Sequence, residues 1–231
     1  MLVQFSFKNF KSFKEEATLD LSATKVTEFA NRVVKISNEK VLRVAAIYGA
    51  NASGKSNIYS AFNYMHDYVI NSFKYDSDEN GISEKYRPTP FLLDKASRDE
   101  ESYFEVYFTL PQDVTGKMYN YGFCINKEGI SEEWLNYKAK TAREYSPIFY
   151  RNTSKGELDL TRIAVANRKN IEIALEKQEL IISLGAKLKV EICQMVRNWF
   201  RNNELVSYAD FNNSAGIEQY LPKGFLENKD A

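Results

Sequence analysis

The chain has 231 residues, 44% of them apolar, enough to bury a core as one large domain or two small ones. Lysine plus arginine and aspartate plus glutamate both number 31, so the bulk charge draws the chain neither to nucleic acid nor to an anionic membrane, although a local basic patch stays open. Cys124 and Cys193 lie far apart in apolar surroundings, as buried thiols of a reducing compartment do, and with a single histidine they argue against a structural zinc site.

The opening Met1-Leu2-Val3-Gln4-Phe5-Ser6-Phe7-Lys8 alternates apolar and polar residues. That pattern predicts a strand with Val3, Phe5 and Phe7 on one face, not a signal peptide. No run approaches the roughly 18 apolar residues that cross a bilayer, so a cytoplasmic protein is expected. After Asn9-Phe10-Lys11-Ser12-Phe13, the alternation of Ala17, Leu19 and Leu21 with Thr18 and Asp20 predicts a second strand paired with the first. Leu42 to Tyr48 is apolar apart from Arg43 and ends at Gly49, the pattern of a strand buried on both faces. A helix is expected next, with Ile58, Ala61, Phe62, Met65 and Val69 as its apolar stripe.

Lys74 to Arg87 is polar, interrupted by Gly81 and closed by Pro88 and Pro90, which predicts a mobile surface loop between two blocks. The period then becomes two. Phe104, Val106, Phe108 and Leu110, and after a turn at Pro111 to Lys117 also Tyr119, Tyr121, Phe123 and Ile125, alternate with their neighbours. Ile130 to Tyr137 and Ser146 to Tyr150 continue an antiparallel meander. From about Asn170 the spacing is helical, with Leu188, Ile192, Met195, Val196 and Trp199 at steps of three and four, and the tail from Tyr208 to Ala231 is polar and weakly patterned.

Gly49-Ala50-Asn51-Ala52-Ser53-Gly54-Lys55-Ser56 fits G-x-x-x-x-G-K-[ST] at every defined position, between an expected strand and an expected helix. The chemistry explains the residue types. Glycines let the backbone curl so that successive amides point at phosphate oxygens, and the helix start adds its positive end. Lys55 is placed to reach the β- and γ-phosphates, and the Ser56 hydroxyl to coordinate the magnesium ion between them. A nucleoside triphosphate is therefore the expected ligand.

Other motifs carry less. Asp113-Val114-Thr115-Gly116 matches D-x-x-G of GTPase switch regions, but it falls in the hairpin turn and no N-K-x-D guanine motif occurs, so a turn is the better reading. His66, four residues after Phe62, reads as half-buried packing rather than a base. The aromatic alternation at Tyr119 and Tyr121 reads as sheet packing rather than a stacking platform for nucleic acid.

The N-terminal strand, Asn9-Phe10-Lys11-Ser12-Phe13, the second strand and the loop Gly49 to Asn57 together resemble the ABC-type ATPase heads of the SMC, RecF and OLD-like proteins. The nearest likeness is to bacterial AAA-family ATPases of abortive-infection and antiphage systems, which share the phrases Pro90-Phe91-Leu92-Leu93, Tyr119-Asn120-Tyr121-Gly122-Phe123 and Ile130-Ser131-Glu132-Glu133-Trp134-Leu135. The resemblance implies ATP with Mg²⁺ as the ligand, held by Gly49, Ala50, Asn51, Ala52, Ser53, Gly54, Lys55, Ser56 and Asn57, with Ser56 on the metal. It places the Asn9 to Phe13 segment beside the loop and carries a supporting nucleotide-binding role to Lys11 and Ser12, while Asn51 is assigned to the γ-phosphate side. It further implies a homodimer or larger assembly through the ATPase head, with an effector protein as the recipient of its signal.

The resemblance covers the first part of the family's usual length. A signature loop and an acidic Walker B strand are missing, and the nearest match, Leu205-Val206-Ser207-Tyr208-Ala209-Asp210, lacks the second carboxylate. The chain is therefore expected to bind triphosphate and to turn it over poorly, and no catalytic residue is assigned. The expected fold is α/β, a P-loop NTPase of the ABC-ATPase-like kind that is apparently incomplete, with a mixed sheet, an adjoining antiparallel sheet and C-terminal helices. Its expected segments are a P-loop nucleotide-binding core at 1–73, a connection at 74–102, an antiparallel subdomain at 103–165 and a helical segment with polar tail at 166–231. Three functions stand: an ATP-binding lobe of a defence or DNA-maintenance ATPase, a non-catalytic nucleotide sensor or interaction module, and an SMC-like DNA-binding protein, which calls for a basic stripe.

Overall fold

The computed structural model describes residues 1–23, 30–36, 39–75, 77–78 and 81–206. Strands β1 (Leu2–Lys8) and β2 (Ala17–Asp20) form the expected pair, with Phe5 opposite Leu19. The short strands β3 (Val33–Ile36) and β4 (Glu39–Leu42) make a separate hairpin. Helix α1 (Lys55–Asn71) follows, then a two-residue hairpin of β5 (Ser77–Asp78) and β6 (Gly81–Ile82). The meander is β7 (Ser102–Phe108), β8 (Met118–Ile125), β9 (Ile130–Lys138), β10 (Ser146–Asn152) and β11 (Glu157–Asp159). Helices α2 (Val165–Ala174), α3 (Ile181–Lys187) and α4 (Glu191–Arg201) complete it. These elements belong to one compact unit, Met1–Arg201. Among the described residues no helix is long and apolar enough to cross a membrane.

Two sheets were expected, one of them mixed. Instead β1 pairs with β7, Phe5 opposite Val106 and Phe7 opposite Phe104, which joins the N-terminal strands to the meander in one seven-stranded sheet of order β11-β10-β9-β8-β7-β1-β2. Every pairing between described strands is antiparallel. The reason is the matched apolar period of the two segments. Phe5 and Phe7 meet Phe104 and Val106 on one face, and all four are essentially unexposed.

Val3 does not share that face. A register shift between Leu2 and Gln4 lets it join Val41 and Met118 in a small cluster with Tyr107 and Tyr145, apart from the main core. Central β8 is buried along its whole length. Two of the shared phrases meet there: Gly122 lies opposite Trp134, and a Cβ on Gly122 would stand 2.3 Å from the indole and 2.7 Å from the Phe104 carbonyl. The Tyr121 hydroxyl in turn donates to Glu133 at 3.1 Å. Packing explains these phrases without a ligand.

Helix α1 lays Ala61, Met65 and Val69 into the core, with Ile58 and Phe62 partly buried beside them, as its stripe predicts. Its C-terminal end is clamped. Tyr68 Oη donates to the Gln178 carbonyl at 2.8 Å, Ser72 Oγ accepts from the Leu180 amide at 3.2 Å, and Arg197 Nη2 donates to the Ile70 carbonyl at 2.6 Å. The Arg197 bond satisfies a carbonyl that the helix end leaves open, and the three together hold the end of α1 against α4 and the segment that leads into α3.

The segment from Lys74 to Arg87, expected as a mobile surface loop, holds a core residue: Ile82 is fully buried, and Arg87 Nε donates to its carbonyl at 2.6 Å. The apolar stripe expected from Leu188 starts later. Leu188 is the C-cap of α3 and Lys189 takes a left-handed φ of 63°, so α4 carries the stripe through Ile192, Met195, Val196 and Trp199, joined by Cys193 and Phe200. Both cysteines are free and buried. Asp113 organises a turn, its Oδ1 accepting from the Thr115 amide at 2.9 Å, and Tyr119 and Tyr121 are buried in the sheet. The tail from Tyr208 and all but Leu205 and Val206 of the Walker B near-match lie outside the described residues.

Candidate phosphate-binding site

Strand β4 ends at Leu42, and Arg43 to Tyr48, expected as a strand buried on both faces, is exposed and forms no strand. Val44 is 80% and Tyr48 90% exposed. The sheet order shows what is lacking: β1 and β7 to β10 have neighbours on both sides, and no described strand lies alongside this run to cover it. The apolar pattern is real, but its cover does not come from the described residues.

The loop itself curls as its glycines and short side chains allow. Gly54 takes φ 93° and ψ 2° at the N-cap of α1, a left-handed conformation natural to glycine, and Ala52 is held at φ 63°. The Ser53 amide donates to the Ala50 carbonyl at 3.2 Å and the Asn57 amide to the Gly54 carbonyl at 2.8 Å. Lys55 Nζ folds back over the loop, donating to the Gly49 carbonyl at 2.8 Å and the Ala50 carbonyl at 2.6 Å. Gly49 to Ser53 and Ser56 are exposed. No acid stands in the first turn of α1, so the positive end of a 17-residue helix is not neutralised by its own side chains.

Beside the loop sits the Asn9 to Phe13 turn. Phe10 and Phe13 exchange backbone bonds at 2.9 and 3.0 Å, with Asn9 and Lys11 at φ 50° and 51°. Asn57 Nδ2 donates to Ser12 Oγ at 2.8 Å, and a Cβ on Gly54 would lie 3.0 Å from Ser12 Oγ and 3.1 Å from the Phe13 ring. Lys11 and Ser12 are exposed on this turn, and the Lys11 amide donates to the Thr89 carbonyl at 2.8 Å. The turn thus stands against the start of α1.

Asn9 was not singled out by its sequence pattern, yet it builds the turn. It is fully buried, and its Nδ2 donates to the Ser97 carbonyl at 2.8 Å while its Oδ1 accepts from the Phe91 amide at 2.9 Å. Ser102 Oγ closes on its carbonyl at 2.6 Å. An asparagine is suited to this place because it tolerates a left-handed φ and offers both donor and acceptor. The phrase from Pro90 to Leu93 is thereby tied to the turn. His66, half-buried with Nδ1 3.0 Å from Asp67 Oδ1, lies three helical turns from Lys55 and takes no part in the loop.

The donor set suits a magnesium-bound polyphosphate. Ser56 offers a hydroxyl to a hard cation, Lys55 a point charge, and the curled backbone with the helix start a cradle of amides. The bound ion would neutralise phosphate charge, and the chain's own residues would orient the phosphates and hold them. The sequence profile of a family described as "AAA domain, putative AbiEii toxin, Type IV TA system" matches residues 44–227, a stretch that includes the loop. No curated protein matches the chain.

Proposed function

The chain belongs to the AAA domain family whose description reads "putative AbiEii toxin, Type IV TA system", and we propose on that premise that it is the ATP-binding lobe of an ABC-like ATPase in a bacterial defence system. The observation that carries this reading is the loop at the head of α1, where Gly54 in its left-handed turn sets Lys55 over the carbonyls of Gly49 and Ala50. ATP binds with its β- and γ-phosphates on Lys55 and the loop amides and its Mg²⁺ on Ser56, and Lys11 and Ser12 support it from the neighbouring turn. Asn51 lies on the γ-phosphate side.

Nucleotide held this way links the lobe to a partner. Two copies of the head, or the head and an effector protein, would close over the exposed loop. Calorimetric titration with Mg²⁺ and ATP tests the reading. Loss of a charged hydrogen bond costs roughly 1.5–3 kcal/mol, so Lys55→Ala should weaken ATP about 10- to 150-fold. Unchanged affinity in Lys55→Ala, or no binding at millimolar ATP, defeats the proposal.

The exposed run before the loop favours a second reading, a nucleotide-dependent interaction module that binds without hydrolysing. Val44, Ile47 and Tyr48 carry apolar surface on both sides of an extended segment with no described strand beside it. A strand from another segment would bury that surface, and only such an assembly would hydrolyse efficiently. Phosphate release measured on the titrated samples separates the two: release by the chain alone supports an ATPase, binding without release the module.

A further inference from the structure

A groove of about 330 Å³ runs along α1, and the phosphate site described above does not account for it. Tyr59, Asn63 and Asp67 line it from the helix, with Tyr75, Tyr86 and Arg87 from the segment that follows. Lys11 lines it too, one residue before the Ser12 that holds Asn57. Tyr59 and Asn63 stand about 5 to 10 Å along the helix axis from Ser56. A second link joins the two places, since Ser60, also in the lining, donates from Oγ to the Ser56 carbonyl at 3.0 Å.

The walls are set in advance. The Tyr75 and Tyr86 rings stack at 3.7 Å and 12°. Tyr64 Oη donates to the Tyr86 carbonyl at 2.8 Å, and Tyr75 Oη to the Asp67 carbonyl at 3.3 Å. Asn63 Nδ2 lies 3.3 Å from Asp67 Oδ2, so an amide and a carboxylate share one edge of the groove. Aromatic faces suit a flat heteroaromatic ring, the amide and carboxylate suit the donors and acceptors on its rim, and Lys11 and Arg87 suit an attached anionic chain. A nucleotide combines these features, a heteroaromatic base with a polar rim and an anionic chain.

We propose that this groove receives the base and ribose of the nucleotide whose phosphates the loop holds. The assignment rests on the nucleotide reading of the loop. Tyr59 and Tyr86 contribute ring contacts, Asn63 and Asp67 meet the rim of the base, and Lys11 lies between base and phosphates.

Calorimetry with ATP and with inorganic tripolyphosphate, each with Mg²⁺, tests it on the wild type, Tyr59→Ala, Tyr86→Ala and Lys55→Ala. Base stacking is lost in the two tyrosine variants, which should weaken ATP about 5- to 150-fold and bring it toward the tripolyphosphate value, while tripolyphosphate binding stays at the wild-type level. The two variants sit on different elements, and thermal melts identify either one that fails to fold. If folded tyrosine variants bind ATP as the wild type does while Lys55→Ala does not, the groove assignment is overturned and the loop reading stands. If neither ligand binds the wild type, the loop reading fails and the groove assignment with it.

Discussion

The Asn57 side-chain amide donates to Ser12 Oγ at 2.8 Å, across 45 residues of sequence, and so ties the N-terminal turn to the first turn of α1. The bond is exposed, and its net worth to stability is about 1 kcal/mol. Its larger effect should fall on nucleotide. We expect Ser12→Ala to lower the melting temperature by no more than a few degrees and to weaken ATP several-fold. A melting loss with unchanged ATP affinity would assign Ser12 to structure alone.

Gly54 sets the hand of the loop. Alanine there meets two costs at once, roughly 1–2 kcal/mol for a left-handed backbone and the crowding of a Cβ held 3.0 Å from Ser12 Oγ and 3.1 Å from the Phe13 ring. Gly54→Ala should therefore lose both thermal stability and ATP binding. A variant that melts and binds like the wild type would show that the left-handed turn is dispensable.

Glu133 gives the fold a dependence on pH. Its carboxylate is buried, accepting from the Ile181 amide at 2.7 Å and the Ile182 amide at 3.2 Å, and burial pushes its pKa from 4.5 to about 7 despite those bonds and the nearby Arg151. Between these two values the folded chain holds a proton that the unfolded chain releases. The contribution of this group is thus complete below about pH 4.5 and is lost as pH rises through about 7, by about 3 kcal/mol in all. Melts of the wild type and Glu133→Gln from pH 5 to 8 should show a slope in the wild type that the variant flattens. Parallel curves would remove Glu133 from the account.

Val44, at 80% exposure, should tolerate a charge in the isolated chain. Val44→Asp is expected to change unfolding free energy by no more than about 0.5 kcal/mol, as surface substitutions do. A loss of several kcal/mol in denaturant titration would mean that the run before the loop is covered after all.

Much of the architecture was legible because local pattern and packing agree. The period-two aromatics from Phe104 to Ile125 and the stripe on α1 stand where their spacing puts them. The joining of β1 to β7 was not legible, because pairing partners 100 residues apart leave no mark in local periodicity. Ile82 was hidden inside a polar stretch for a similar reason: a single buried side chain has no period. In the site, G-x-x-x-x-G-K-S announced the loop, and the resemblance placed the Asn9 to Phe13 turn beside it. The organising part of Asn9 was not legible because the partners of its side chain and carbonyl lie in the segment from Phe91 to Ser102 and become neighbours only on folding. Its place directly after the phenylalanine-bearing strand β1 is the signal that the local sequence offers.

The curled Lys55 also bears on which anions can enter. Its two bonds to Gly49 and Ala50 are intramolecular, so the loop carbonyls act as a tethered competitor at high effective concentration. An incoming anion must displace them. A chelated triphosphate, gripping amides, lysine and metal together, can do so, whereas orthophosphate offers too few contacts to repay the exchange. If the loop holds nucleotide as proposed, this contact would favour a chelated triphosphate over orthophosphate.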